Sequence, residues 1–217
     1  MKKLTLIAIF IGSLLFSTAN HAKAQNQQGE ITVNAGAGYS LIFAIIDPLV
    51  KASITSGNVT SNAPPVFNGT VDYAFNSWFS LGIGIGYQSI TVNINNFTDS
   101  NNTPYLYNQN ASASVSRLNI GLRPCFHLGK NPNVDPYFGL KVGVSIWSFA
   151  LTSTDPNYNL PLPYSGTVPA FQAFFGLKGY FLPFMGAHFE IAVGSPYFIE
   201  AGLNFRFGNT GLDAKKS

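Results

Sequence analysis

Residues that could do chemistry recur at alternate positions in this sequence. His188 and Glu190 are two residues apart, so on an extended strand their side chains point to the same side. With Asp72 or Glu200 they could form an acid–base or metal-binding cluster, since histidine and carboxylates exchange protons and bind metals. A metal site needs three or four converging ligands, and no such set is visible. No serine can be placed beside His188 or His127, so we predict no catalytic, cofactor or metal site.

The charged residues share their positions with glycine and other small or polar residues. The candidate network comprises Asp72, Arg117, Arg123, Lys141, Lys178, His188, Glu190, Glu200 and Arg206, with Glu30 near a segment end. Acidic and basic members are close to balance, which favours charges that pair with one another, because an unpaired buried charge is costly. The alternative is that these residues line a conduit or a ligand site. The single cysteine, Cys125, is predicted to be a buried, inert thiol.

The elements that carry these residues are short alternating segments. In "FSLGIGIGYQ" (79–88), glycine occupies every second position and the residues between are large and apolar. Eight segments of this kind, separated by turn residues, are 30–43, 66–75, 78–92, 113–128, 136–149, 168–181, 185–194 and 197–207. A period of two predicts β-strands, and no segment shows a helical period with caps.

Composition and the N-terminus narrow the class of protein. Only 10% of the 217 residues are charged, against about 25% in soluble domains. Residues 1–24 combine Lys2 and Lys3, an apolar stretch and an Ala-Lys-Ala cleavage site, which predicts a secretory signal peptide. Its removal takes three lysines from the 12 basic residues and leaves nine, equal to the 9 acidic ones. No basic run remains, so nucleic acid is not an expected partner.

A strand with one bulky apolar face and one small or polar face fits a membrane. The apolar face meets lipid and the other faces a lumen. Strands can span hydrocarbon only as a closed barrel, because a free edge would leave backbone groups unpaired. We therefore predict an all-β, eight-stranded antiparallel up-and-down transmembrane β-barrel over residues 25–207, with outer-membrane lipid as its surroundings. Residues 208–217 would form a short flexible periplasmic tail.

The connections predict the orientation. Short and long links alternate, and in outer-membrane barrels short turns face the periplasm and long loops face outside. Both termini would then be periplasmic, in the outer membrane of a bacterium. The long outer links are 44–65, 93–112 and 150–167, and the fourth outer link, Ser195-Pro196, is tight. The first of them could extend a strand or fold over the barrel mouth.

The last segment carries the most specific motif. In "EAGLNFRF" (200–207), Glu200, Gly202, Phe205 and Phe207 occupy the positions of the barrel-assembly signal found in last strands. On this motif and on the strand pattern over 29–207, the chain resembles the small outer-membrane barrels of OmpA, OmpX and OmpW type. The resemblance implies delivery to the barrel-assembly machinery. Here ten further residues follow the motif, too few for a peptidoglycan-binding domain.

The expected function is non-enzymatic: a structural or surface-interaction role through the long outer loops, which could bind an extracellular ligand or surface partner. One alternative is a narrow pore or a carrier of small molecules, hydrophobic ones included. A lipid-active outer-membrane enzyme is the third, and a role in a secretion system is also left open.

Overall fold

The computed structural model describes residues 26–41, 44, 45, 48, 58–99, 106–128, 134–154 and 165–208. The described strands are β1 (Ile31–Tyr39), β2 (Asn58–Asn62), β3 (Val66–Ala74), β4 (Phe79–Asp99), β5 (Leu106–His127), β6 (Val134–Ser153), β7 (Gly166–Tyr180), β8 (Met185–Gly194) and β9 (Ile199–Phe207). Within these residues no helix is long and apolar enough to cross a membrane.

The strands close into a barrel. The order β4-β3-β1-β9-β8-β7-β6-β5 is completed by the pairing of β4 with β5, and every neighbouring pair is antiparallel. β2 pairs with β4 alone, beyond the end of β3. Ala63, Pro64 and Pro65 separate β2 from β3, and proline has no N–H to donate to a ladder. β2 and β3 thus follow one track in a closed eight-stranded barrel, which confirms the predicted fold.

The alternation is oriented as predicted. In β4, Leu81, Ile83 and Ile85 are exposed on the outside, whereas the intervening glycines are buried. The small inner face serves close packing: a Cβ on Gly143 would collide with the carbonyl oxygen of Ile120 in the neighbouring strand. The inner glycines therefore let strands and large inward side chains fit within a narrow barrel.

The barrel has two unlike ends. At the terminal end, where β1 begins and β9 ends, the connections are short and aromatic rings cluster. Trp78, Phe79, Phe126 and Phe138 form consecutive ring contacts there, with centroids 5.3–6.1 Å apart. At the opposite end, the loop end, β4, β5 and β6 run far beyond their neighbours.

This extension corrects the predicted loops. β4 continues to Asp99 and β5 begins at Leu106, so most of the expected loop 93–112 is a strand pair. Likewise β6 continues to Ser153 and β7 begins at Gly166, which shortens the expected loop 150–167. Of the two options for 44–65, residues 58–62 extend a strand, and 46, 47 and 49–57 lie outside the described residues. The strands were missed because the apolar residues change face at this level.

One side chain departs from the alternation of its segment. A strict period of two through 197–207 places Tyr197 on the outside, with the apolar residues of the last strand. In the structure β9 begins only at Ile199, and Tyr197 is 2% exposed and points inward, whereas Phe198 is exposed. The tight connection before β9 breaks the alternation, and the Tyr197 hydroxyl gains a buried acceptor in Glu190.

Candidate functional site

A buried ion cluster lies near the middle of the barrel. Arg123 of β5 donates to Asp72 of β3 at 2.9 Å and to Glu190 of β8. The hydroxyls of Tyr137 and Tyr197 also donate to Glu190. Arg123, Asp72 and Glu190 come from three strands that do not pair with one another, so the cluster spans the interior. Each charge has an opposite partner, which is the condition for keeping charges in a dry interior.

Aromatic rings and a lysine fill the rest of this level. The guanidinium of Arg123 lies 4.3 Å from the centroid of Phe174, and the ammonium of Lys178 lies 4.9 Å from that of Tyr137. Lys178 Nζ is 3.8 Å from Asp72. Arg123, Tyr137, Lys178 and Asn204 are at most 2% exposed, so water has almost no contact with them. The described residues therefore close the barrel at this level.

Other members of the predicted network are also buried in the barrel interior. His188 Nε2 lies 3.4 Å from Glu200, which accepts two hydrogen bonds from Asn68 at 3.1 and 3.2 Å. Lys141 is also buried, and its Nζ has no hydrogen-bond partner within the described chain. The structure thus brings His188 and Glu200 together but leaves Lys141 unpaired.

At the terminal end the structure places a serine where sequence reasoning saw none. Ser80 Oγ lies 2.8 Å from His127 Nε2, and Asp135 lies 2.7 Å from His127 Nδ1. This is the hydrogen-bond order of a Ser–His–Asp triad. β4, β5 and β6 are consecutive antiparallel strands, and the register of their two pairings, which alternation alone does not give, brings these three residues together. Ser80 is 2% exposed and lies within a paired strand, so the arrangement offers a substrate no access. Where the chain is described, no three His, Cys, Asp or Glu residues form a metal-binding group.

The last strand ends beside this region. Arg206 Nε donates to the carbonyl of Pro183 at 2.6 Å, and its guanidinium lies 4.1 Å from the centroid of Tyr180. Of the residues in the assembly motif, Glu200 points inward and Phe207 is exposed on the outside. Phe205 is half-buried on the same outer face.

Arg117 occupies the inward face at the loop end. Its guanidinium donates to Ser40, Gln88, Ser195 and the carbonyl of Pro196 at 2.6–3.3 Å. It also lies 5.3 Å from the centroid of Trp147, its neighbour on β6. Among the described residues these acceptors are all neutral. Arg117 therefore differs from Arg123, whose acceptors are carboxylates.

Beyond Arg117, towards the loop end, polar residues point outward and apolar residues point inward. The outward row Tyr87–Leu118–Ile146 is apolar, whereas the next outward row, Ser89–Ser116–Ser148, is polar. The rows beyond it continue as Asn62–Thr91–Ser114–Ala150 and Thr60–Asn93–Ser112–Thr152. We call these three rows the polar outer face. Since nine residues of β4, from Phe79 to Tyr87, carry the apolar band, its height suits a membrane strand of about 9–11 residues.

The inward rows at the same level are mostly apolar. They are Ile90–Val115–Phe149, Ser61–Val92–Ala113–Leu151 and Val59–Ile94–Ala111–Ser153, so two serines lie among them. We call these rows the apolar inner face. Residues 90–94 alternate between apolar and polar side chains in the sequence. The rule that apolar residues face outward would place Ile90, Val92 and Ile94 on the outside, whereas they point inward.

The chain is similar to several solved structures. The N-terminal β-barrel domain of Pseudomonas aeruginosa OprF is 14% identical, with 83% of this chain and 98% of that chain covered and a TM-score of 0.45. P. aeruginosa OprG is 10% identical, with 85% and 98% covered and a TM-score of 0.49. Ail of Yersinia pestis, solved with the heparin analogue sucrose octasulfate, is 14% identical, with 83% and 100% covered and a TM-score of 0.42.

Family membership rests on the sequence. The chain has no match among curated proteins. The family model described as "Outer membrane protein beta-barrel domain" matches residues 8–215, nearly the whole chain. The predicted resemblance to small outer-membrane barrels is therefore confirmed, and the protein belongs to the outer membrane β-barrel domain family.

Proposed function

We propose that the protein is a non-enzymatic surface protein that contacts an extracellular partner through the polar outer face. The observation that carries the proposal is the composition of its three rows: apart from Ala150, they consist of Ser, Thr and Asn. These side chains can donate and accept hydrogen bonds and carry no charge. They suit a neutral, hydroxyl-rich partner such as a glycan better than a strongly charged one.

The surface of the polar outer face is not flat. A depression of about 240 Å³ lies between β4, β5 and β6, and its lining includes Asn93, Asn110, Ser112 and Thr152. Three paired strands support it from behind, so its groups are held at regular spacings. A rigid array loses little conformational freedom on binding, which favours recognition.

The proposal includes the orientation of the barrel in the outer membrane. Short connections at the terminal end would face the periplasm, and the extended strands would face outside, as is usual for outer-membrane barrels. Residues 1–24 would be removed as a signal peptide, and residues 208–217 would remain as a periplasmic tail. Glu200, Gly202, Phe205 and Phe207 would present the last strand to the barrel-assembly machinery.

A binding experiment tests the proposal. The refolded protein is screened against neutral and charged glycans, and any hit is repeated with a variant in which Thr91, Asn93, Ser112 and Thr152 are all alanine. We expect binding to neutral glycans that falls at least about tenfold in this variant, because several hydrogen bonds of about 1 kcal/mol each are removed. Thr167→Ala, on the outside of β7, is the matched control. Equal binding by both variants would contradict the proposal.

The second candidate function, a narrow pore, predicts ion conductance across a planar bilayer. Because Arg123, Tyr137 and Lys178 close the interior, we expect no discrete conductance from folded protein. Ion-dependent steps would show that a continuous water path opens through this level.

A further inference from the structure

The apolar inner face forms three sides of a cup. Its walls are the projecting parts of β4, β5 and β6, and Trp147 stands at their base, with its ring 6.3 Å from that of Phe149. The floor is Arg117, which is 3% exposed, together with Gln88. Apolar side chains above the membrane band have no lipid to face, so they need another apolar group to cover them.

The strands on the remaining side of the cup end before they reach the height of its walls. β8 ends at Gly194, β9 begins at Ile199 and β1 ends at Tyr39, so none of these strands reaches the level of the inner face. In β7, Val168 is opposite the inward Ser145, yet it is 45% exposed. The described strands therefore leave the cup open on the side of β8, β9 and β1.

A cavity of about 380 Å³ adjoins this floor from the outside of the barrel, beside β1, β8 and β9. Its lining combines the inward Ser40 and Gln88 with the outward Tyr39, Phe189 and Ile199. Ser40 and Gln88 are both hydrogen-bond partners of Arg117. Glu200 also lines the cavity, but it is already engaged by Asn68 and His188. Two neutral partners of Arg117 therefore border unfilled space, so they have room to turn away when a ligand replaces them.

The charge of Arg117 identifies the ligand class. The other buried arginine near the middle of the barrel, Arg123, is neutralised by two carboxylates, whereas the described partners of Arg117 are two hydroxyls, an amide and a carbonyl. A guanidinium forms its strongest hydrogen bonds with a carboxylate, which it can bind with two parallel N–H donors. A cation at the base of apolar walls complements an anion that carries an apolar chain.

We propose that the cup binds a free long-chain carboxylate, with the carboxylate on Arg117 and the chain against the apolar inner face. The closed level at Arg123 lies below the cup, so the ligand is held rather than conducted. This site is separate from the polar outer face, which lies on the opposite side of the same strands.

Tryptophan fluorescence tests the proposal directly. Trp147 lies in the cup and Trp78 at the terminal end, so a Trp78→Phe background reports on the cup alone. The full-length mature chain, refolded in bilayer discs of a zwitterionic phospholipid, is titrated with laurate. Dodecanol, with the same chain and no charge, and dodecyltrimethylammonium, with the opposite charge, are the matched probes. We expect saturable quenching or shift by laurate, and at least about tenfold weaker binding of the other two, because a charge-assisted hydrogen bond is absent.

Variants separate the two halves of the site. Arg117→Gln should weaken laurate binding to the level of dodecanol and leave dodecanol unchanged, whereas Leu151→Gln should weaken both. Arg117→Lys keeps the charge and should retain part of the preference, which covers the case in which Arg117→Gln does not fold. Equal affinity for laurate and dodecanol in the parent protein would overturn the proposal. The proposal would also be overturned if the disc phospholipid occupied the cup. In that case laurate would leave the Trp147 fluorescence spectrum unchanged.

Neither outcome affects the polar outer face. Its alanine variant should bind laurate as the parent does, and Arg117→Gln should bind glycans as the parent does. Failure of one site is therefore distinguishable from failure of the other.

Discussion

Arg123 and Lys141 are both buried cations inside the barrel, but their surroundings differ. Arg123 is held by Asp72 and Glu190, whereas Lys141 Nζ has no hydrogen-bond partner among the described residues. Breaking a buried ion pair costs about 3–5 kcal/mol, because the remaining charges stay buried and unpaired. We expect Arg123→Met to lower the free energy of unfolding by about this amount.

Lys141→Met is the matched control, with a similar volume and the same loss of charge. It removes an ammonium that forms no hydrogen bond with any described residue, so we expect the free energy of unfolding to change by less than about 1 kcal/mol or to rise. Both values come from urea unfolding of the protein in lipid vesicles. A loss for Lys141→Met as large as for Arg123→Met would contradict this reasoning.

The Ser80–His127–Asp135 chain makes a separate prediction at this scale. Because Ser80 is 2% exposed, a fluorophosphonate probe should not label the folded protein. Ser80→Ala should reduce the free energy of unfolding by about 1 kcal/mol, the usual contribution of one hydrogen bond. Covalent labelling of the parent that disappears in Ser80→Ala would instead show that the serine is an accessible nucleophile.

The sequence predicted which residues share the inner face, but not how they pair. Alternation assigns Arg123, Asp72 and Glu190 to the same face of their strands. Their contact depends on which strands are brought together by closure and on the register of every ladder between them. A shift of register moves a whole strand relative to the others, so contacts across the interior cannot be read from one segment.

At the scale of the elements, the inner glycines differ in what they approach. A Cβ on Gly143 would meet the backbone of β5, which cannot move without disturbing the ladder. A Cβ on Gly84 would instead lie 3.1 Å from the end of the Lys141 side chain, which can turn aside. We expect Gly143→Ala to lower the free energy of unfolding by about 1–3 kcal/mol, the usual effect of overpacking.

Gly84→Ala is the control on the neighbouring part of the inner face, and we expect its effect to stay below about 1 kcal/mol. The measurement is the fraction of refolded protein that shows heat-modifiable migration on a gel, followed by the urea midpoint. Equal losses in the two variants would show that the glycines are needed for chain flexibility rather than for space.

The projecting strands show where pattern reasoning stops. Within the apolar band, lipid outside and a filled interior inside fix the sense of the alternation, so β4 was predicted well as far as Tyr87. Beyond the band the outside is water, and residues such as Thr91 and Asn93 now point outward. The alternation with a period of two continues beyond Tyr87. The apolar residues now point inward, because the outside is water instead of lipid.

At the scale of the whole molecule, the two ends should lie on opposite sides of the membrane. The native Cys125 is buried and 1% exposed, so it should not react with a maleimide in the folded protein. Thr152→Cys would place a thiol on the polar outer face, and Ser77→Cys would place one in the short β3–β4 connection at the terminal end. Both positions are exposed.

With a membrane-impermeant maleimide, we expect Thr152→Cys to react in intact cells. Ser77→Cys should react only after the outer membrane is made permeable, because the apolar band separates the two positions. The parent protein, with Cys125 alone, measures background labelling. Labelling of Ser77→Cys in intact cells with protection of Thr152→Cys would reverse the orientation. The polar outer face and the cup would then meet the periplasm, and both ligand classes would have to be sought there.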